Sequence, residues 1–438
     1  MQKESAQITT RFPLDWSECS LRELETLGIL IIKNGFSCGT HEINGQGVPH
    51  LRPFNVTEDG RLAFEQIKTI PYRQGMEDYS LRDRDILYNN TNSEELVGKC
   101  AYWTGRQGLN VLSNHMTIMR ITDPEGIDPH FLALYLFWFW VTGSARLICR
   151  RHVNQASIGL ERMRQIAIPH PPLFEQRAIS TVLSKIQSAV EVQDKIIAKL
   201  KELKAATMAK LFREGLRGEP LKQTEIGETP ESWDVVLLGS IYERMNYGTS
   251  VHCKTDEEGR PVLRIPNIIN EMVNSKDLKY VNLPLRETEK LLLADGDLLF
   301  VRTNGNKQYT GRCAVYQGVP DEALFASYLI RVRLAKGTVT PSFTQAFLSS
   351  VGREQITSKA SPAADGKFNI DTGVLKSLMI PRPSSSEQEE ITKALQAIEV
   401  RLQKAQERKR IVDQLFYSML HLLMTGQIRV TESMSEWT

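Results

Sequence analysis

The chain has 438 residues, 41% apolar and 24% charged, with a formal net charge of +2. Two to four domains are expected at that length, and a net charge so near zero excludes a globally basic polyanion binder, so any nucleic-acid contact has to come from local faces. Six well-separated cysteines (Cys19, Cys38, Cys100, Cys149, Cys253, Cys313) with no CxxC pair argue against a zinc ribbon or a disulfide framework and suit the reducing cytoplasm.

In chain order, the first stretch, MQKESAQITTRF, is polar and lacks the apolar core of a signal peptide. Residues 81–88, LRDRDILY, predict a turn followed by a buried strand. Asp83 and Asp85 stand there as turn or cap residues, not as a catalytic carboxylate pair. Asn89-Asn90-Thr91-Asn92 follows as a polar turn, and CAYW at 100–103 as a short buried strand. The greasiest run, FLALYLFWFWVTG at 131–143, is too short for the ~20 residues of a membrane span and predicts a buried helix. Next comes IPHPPLFEQRAI at 168–179, then a long helix over 171–216. Its apolar positions Ile179, Leu183, Ile186, Val190, Ile197, Leu200 and Leu211 keep steps of three and four, with Gln193, Lys204 and Thr207 as polar seam members. That is a coiled-coil seam. Glu175 suits the positive end of the helix dipole, and Gly215 marks the far end. From Ile179 to Gly215 such a helix has roughly 37 residues and a length of about 55 Å.

The second half starts with KQTEIGETPESW at 222–233. DLLFVRTN at 297–304 predicts a strand running into the turn Arg302-Thr303-Asn304-Gly305-Asn306-Lys307. SYLIRVRLAKG alternates Ile330, Val332 and Leu334 with Arg331 and Arg333, predicting a half-buried strand with a basic exposed face. IPRPSSSEQEEI at 380–391 opens a second long helix over 383–426. Its seam reads Ile391, Leu395, Ile398, Leu402, Ala405, Lys409, Val412, Phe416, Met419 and Leu423. Ser384, Ser385 and Ser386 offer an N-cap ahead of Glu387, and Gly426 marks the end, before a tail at 427–438.

The two halves repeat at an offset of 212 to 213 residues. Leu51-Arg52-x-x-Asn55-Val56 falls on Leu263-Arg264-x-x-Asn267-Ile268, Asp85-Ile86-Leu87-Tyr88 on Asp297-Leu298-Leu299-Phe300, and Thr91-Asn92 on Thr303-Asn304. Gly98-x-Cys100-Ala101 falls on Gly311-x-Cys313-Ala314, and Pro129-x-Phe131 on Pro341-x-Phe343. The period is far longer than a solenoid repeat, so each copy is domain-sized: a mixed α/β part, then a long helix. A lone helix would leave its apolar stripe wet, and the obvious partner is the helix of the other copy.

No catalytic constellation stands out. The chain has no GxxxxGK[ST], HExxH or GxSxG, and no GxGxxG opening a helix after a strand. It also has no Asn-Pro-Pro-aromatic stretch of the kind that holds a flipped base. NGQG at 44–47 reads as a plain loop, and His50, His115, His152, His170 and His252 form no ligand spacing. No catalytic or metal site is expected.

The order globular domain, IPxPxxxEQ, long helix, KQTEIGETPESW, globular domain, IPxPxxxEQ, long helix resembles the specificity subunit of type I restriction–modification systems over nearly the whole chain. The resemblance implies an α+β fold with two target-recognition domains, 1–170 and 217–382. Long helices at 171–216 and 383–426 would follow them and pair as an antiparallel coiled coil. It also implies that each domain reads one half of a split double-stranded DNA site in the major groove and that the helices set the gap. Methyltransferase subunits, two of them, would dock on the helical region, and a restriction/translocase subunit would complete the complex. S-adenosylmethionine, ATP and Mg would then belong to the partners and no cofactor to this chain, which would be cytoplasmic and free of the membrane. Two like units on a helix pair can present one face to each half-site about one DNA turn (~34 Å) apart. The copies diverge at 38–50 against 250–262 and at 105–114 against 316–327, so the expected site is asymmetric.

Candidate DNA contacts are Asn89, Asn90 and Asn92 in the first polar turn and Arg302, Asn304 and Lys307 in the second, with a solvated hairpin as the alternative. Arg52 and Arg264, each followed by a matching asparagine, suit a shared structural or phosphate role more than base reading. Arg331 and Arg333 could meet phosphate. Asn246 and Tyr247, before Gly248, resemble the loop that starts the domain in the family, with Asn34-Gly35 as the weaker first-copy match. Two other readings stay open: a specificity module of another DNA-modification or phage-defence complex, and a coiled-coil scaffold that binds protein alone.

Overall fold

A computed structural model of the chain describes residues 12–39, 46–105, 108–255, 259–363 and 366–430. The initial segment, half of the NGQG loop, parts of the divergent loops 38–50, 105–114 and 250–262, and most of the 427–438 tail lie outside the described residues. The chain forms two compact units, residues 1–193 with 408–438 and residues 194–407. Each therefore contains a globular part, the beginning of one long helix and the end of the other, unlike the sequence divisions at 170/171 and 382/383.

The first unit has a four-stranded antiparallel sheet in the order Leu30–Asn34, Met116–Ile121, Ile86–Asn89, Cys100–Tyr102. The apolar run forms a helix, Pro129–Val141, capped by Asp128, whose carboxylate accepts from the Phe131 N–H at 2.7 Å. Residues Phe131–Trp138 are buried all the way round the helix. The reason is its place between two surfaces. One core holds Ile86, Tyr88 and Met119 of the sheet, the helix itself, and Ile179, Leu183, Phe416 and Leu420 of the long helices.

The second unit repeats this sheet as Tyr242–Tyr247, Leu329–Leu334, Leu298–Val301, Cys313–Val315 and extends it with the hairpin Ile268–Val273. The hairpin turns on Asn270 and Glu271, both at positive φ (48° and 65°), the conformation a two-residue turn needs to follow strand twist. A shorter helix, Pro341–Leu348, capped by Thr340, covers the sheet.

The long helices run Leu173–Glu214 (42 residues) and Ser385–Met424 (40 residues). They lie within the expected ranges 171–216 and 383–426, two residues shorter at each end, and each begins directly after its proline segment; the Glu387 N–H donates to the Ser384 hydroxyl at 3.3 Å. In the first unit the start of the first helix (Ile179, Leu183) shares a core with the end of the second (Phe416, Leu420, Leu423). In the second unit the end of the first (Met208, Leu211, Phe212) meets the start of the second (Ile391, Leu395), and Lys204 pairs with Glu399 at 2.9 Å. Start against end is antiparallel pairing. Ile179, Leu183, Val190, Ile391, Leu395, Leu402 and Phe416 are buried; Ile186, Ile197, Leu200, Ile398 and Val412 are half-buried.

The repeated IPxPxxxEQ stretch ties each globular part to its helix. Ile168 lies in the strand Ala167–His170, paired with Ser17–Ser20, and Ile380 in Met379–Arg382, paired with Asp234–Leu237. The buried Gln176 accepts from the Asp128 N–H at 2.9 Å and donates to the Pro171 carbonyl at 2.9 Å. Gln388 does the same with the Thr340 N–H (2.7 Å) and the Pro383 carbonyl (2.9 Å). Each glutamine thus fixes the cap of the short helix to the first turn of the long one. The glutamates were expected only to complement a dipole, but they are buried acceptors. Glu175 takes the Trp16 indole N–H (3.2 Å) and two bonds from Arg429 (2.7 and 2.8 Å). Glu387 takes the Trp233 indole N–H (3.1 Å) and the Leu216 N–H (2.8 Å). Hydrogen bonds from Arg429 also hold the Asp15 carboxyl below the ordinary carboxylate range. Gly426 and Gly215 end the helices in the left-handed region (φ 68° and 62°). A Cβ on Gly426 would lie 2.4 Å from Pro13 Cγ, and one on Gly215 2.8 Å from Glu387 Oε1, so the glycines also make room for the Pro-x-x-Trp corners.

Candidate nucleic-acid interface

Asp85 and Asp297 close the turns before the central strands, accepting the Arg82 N–H (2.7 Å) and the Ala294 N–H (2.9 Å). Each also holds an arginine from the neighbouring strand with two 2.7 Å bonds, Arg120 in one unit and Arg333 in the other. The bonds to Asp297 raise the Arg333 pKa. Arg331, expected on an exposed basic face, is 0% exposed. It donates to the Asn246 side chain (2.6 and 3.0 Å) and to the carbonyls of Leu292 and Lys290 (both 2.8 Å) at the end of the helix Leu285–Leu291. Burial lowers its pKa to about 10. Asn246 and the end of that helix cover the face on which a basic row was expected, and the strand is buried at all positions but Arg333, which is half-buried. Both arginines hold the sheet together.

The Arg-x-x-Asn repeats are turn latches. Asn55 and Asn267 are buried, accept from the N–H of Arg52 (2.9 Å) and Arg264 (3.0 Å), and donate to carbonyls beyond the turn. Arg264 itself donates to the Asp277 carbonyl at 2.7 Å. Arg52 is half-buried.

The polar turns sit at one end of each sheet, on matching scaffolds. In the first unit, Asn89 and Asn90 are buried rather than solvent-facing. Asn89 donates to the Pro53 carbonyl at 3.2 Å, and Asn90 to Thr117 Oγ1 at 3.0 Å and Asn34 Oδ1 at 3.3 Å. Thr91–Asn92 continues into a small sheet with Ala156–Ser157 and Arg150–Arg151. Asn34 and His115 are exposed. In the second unit Thr303–Asn304 pairs with Phe368–Asn369, and that strand with Ser361–Pro362. The Arg302 guanidinium lies over the Tyr247 ring, 4.8 Å from its centre, and donates to the Ser327 carbonyl at 3.3 Å. Tyr247, 36% exposed, takes the Thr372 N–H on its hydroxyl at 3.3 Å. Asn304 accepts the Asn306 N–H at 2.9 Å, and Lys307 lies 6.0 Å from the centre of the Phe368 ring. Tyr328 is exposed beside Arg302, whose N–H donates to the Tyr328 carbonyl at 2.9 Å.

Backbone pairing puts three positions in register. Asn34 pairs with Thr117 as Tyr247 does with Ile330. The N–H of Asn90 donates to the His115 carbonyl as that of Arg302 does to Tyr328. One scaffold therefore presents Asn34 and His115 over a buried Asn90 in one unit, and Tyr247, Arg302 and Tyr328 in the other. Gly35 and Gly248 let the adjoining strand approach: a Cβ would lie 2.2 Å from the Ser113 carbonyl oxygen, or 2.1 Å from that of Phe325.

Sequence reasoning missed the hairpin Arg150–Ser157. Its strands have two residues each, too few for an alternation signal, though RRHVNQAS carries three basic residues in a row. A cavity of about 1430 Å³ in the first unit is lined by Glu58, Asp59, Glu65, Glu95 and Glu191 against Arg61 and Arg146, a net negative lining unsuited to phosphate. Among the described residues, no group of three or more His, Cys, Asp or Glu could hold a metal, and no helix is long and apolar enough to cross a membrane.

The family model for the type I restriction modification DNA specificity domain matches residues 54–202 and 230–412. The chain is 27% identical over 427 residues, 95% of each protein, to a Methanocaldococcus jannaschii protein whose name assigns it to the type I restriction enzyme MjaX as specificity subunit. It is 24% identical over 368 residues to the EcoKI specificity subunit of Escherichia coli K12, 80% of this chain and 75% of that one. Among solved structures, the type I restriction-modification S subunit from M. genitalium matches with a TM-score of 0.56 over 96% of this chain and 98% of that one, at 14% identity. A chain from a study of assembly and conformational transition in the type I R-M system matches at 0.55 over 95% of this chain and all of that one, also at 14% identity.

Proposed function

The chain belongs to the type I restriction–modification DNA specificity family, whose members recognise DNA without catalysis of their own, and from that premise we propose that each unit reads one half of a split, asymmetric site. The observation that carries the reading is the exchange at three matched positions on a shared scaffold, where exposed Asn34 and His115 over a buried Asn90 in one unit stand against Tyr247, Tyr328 and Arg302 in the other. A repeated reader of a palindrome has no use for such an exchange, whereas readers of two different half-sites do. Amides suit adenine and guanidinium suits guanine, and Asn92, Asn304 and Lys307 border the same surfaces. Arg331, Arg333, Asn89 and Asn90 act from beneath, by holding the surface in shape. The paired helices serve as spacer and as seat for two methyltransferase subunits, with a restriction/translocase subunit joining them. S-adenosylmethionine, ATP and Mg work on those partners, in the cytoplasm.

Mapping modified bases genome-wide in cells with and without this gene tests the reading. The expected result is a two-part motif with unequal halves that disappears with the gene. A contiguous or palindromic motif, or methyl transfer to DNA by the purified chain alone, would contradict it.

A further inference from the structure

We propose that the hairpin Arg150–Ser157 enters the major groove and reads a T·A base pair, Val153 against the thymine methyl and Asn154 against the adenine edge. The inference rests on the split-site reading and deepens it for the first unit. The strands Arg150–Arg151 and Ala156–Ser157 pair directly, and the His152 N–H donates to the Gln155 carbonyl at 2.7 Å. The loop is therefore two residues long, Val153 and Asn154. Val153 is 99% exposed and Asn154 is exposed beside it. An aliphatic side chain held so far into water at the tip of a braced ribbon is placed to be covered by something.

What covers it follows from the charge below the tip. Arg150 and Arg151 place two guanidinium groups at the base of the ribbon, which Glu94 offsets only in part. Glu94 is held by Arg151 at 2.6 Å, and His152 is braced by the Ser157 hydroxyl at 3.0 Å. A two-stranded ribbon with a cationic base and an apolar tip fits a groove walled by phosphates, and the major groove admits such a ribbon. The apolar group on that groove's floor is the thymine C5 methyl, and an asparagine amide can donate to adenine N7 and accept from N6. The hairpin also shares its sheet with Thr91–Asn92, so it extends the surface already described. The corresponding stretch of the second copy, SPAADGK at 361–367, has no arginine and no branched aliphatic residue. The T·A reading therefore belongs to one half-site only.

The test uses the full chain in the complex it forms in its own cells, bound to duplexes carrying the mapped site with each thymine replaced in turn by deoxyuridine. Loss of one methyl contact should weaken wild-type binding about fourfold at one thymine of one half-site. Val153→Ala should bind thymine and uracil alike there. Asn154→Ala should relax the preference for adenine at that pair or its neighbour about tenfold. Both residues are exposed, so thermal melting should not change. A flat uracil scan in the wild type, or a Val153→Ala complex that keeps the thymine dependence, overturns the proposal and leaves split-site reading intact. So does a loss of partner subunits from the Val153→Ala complex with thymine dependence retained, which would make the tip a protein contact. If the complex selects no DNA site, both readings fall.

Discussion

Leu183→Asp is expected to destabilise the first unit by about 5 kcal/mol. Leu183 is 0% exposed, in the core shared by the sheet, the helix Pro129–Val141 and both long helices. Removing a buried leucine side chain costs about 2–5 kcal/mol, and a carboxyl group without a partner adds several more. Domains are stable by only about 5–15 kcal/mol, so this loss removes about a third or more of the unit's stability. Urea unfolding should show an early transition in the variant while a second, from the other unit, stays in place. Leu203→Asp is the control: the same residue type on the same helix, 49% exposed, expected to change stability by less than ~0.5 kcal/mol. Equal effects at the two positions would mean that the apolar stripe is not what holds the helix.

Arg331→Ala is expected to destabilise the second unit by about 4 kcal/mol. The substitution leaves the carbonyls of Lys290 and Leu292 without their donor, frees the Asn246 side chain, and opens a cavity beside Phe325, over whose ring the guanidinium lies. Asp297 keeps its two bonds from Arg333, so it is not left as a bare buried charge, and the loss stays below that of a broken isolated pair. Arg302→Ala should behave in the opposite way, melting within about 0.5 kcal/mol of wild type while DNA binding weakens. Arg331→Ala with unchanged melting and weakened DNA binding would put this arginine on the surface instead.

Those two arginines show where the sequence is legible and where it is not. The duplication and the long helices rest on patterns sustained over many residues, with an offset that drifts by one position and a seam that keeps its three-four step through Leu183 and Leu395. Patterns of that length survive local exceptions. The alternation around Arg331 spans five residues and carries a hidden premise, that one face of the strand meets water. The strand is central, and a helix end and Asn246 lie where water was assumed. Asn89 and Asn90 misled for a related reason: asparagine suits exposed turns and also buried networks that need both a donor and an acceptor.

The paired glutamates were found as a motif, but their partners were not. Trp16 and Trp233 stand at an offset of 217, because the first copy is longer between its tryptophan and its sheet: helix Leu21–Thr26 and a loop precede the strand Leu30–Asn34, whereas the four-residue helix Leu238–Ile241 runs directly into Tyr242–Tyr247. A comparison at 212 therefore passes over Pro13-x-x-Trp16 and Pro230-x-x-Trp233. The hairpin Arg150–Ser157 escaped because two-residue strands carry no period.

The most direct test of one reader per half-site is an exchange. Residues 1–170 would be replaced by the matching segment of a relative with a different site, and the modified bases mapped in cells carrying the hybrid. One half of the motif should change to that of the donor, with the other half and the spacer between them retained. A hybrid that alters both halves, or neither, would contradict the account.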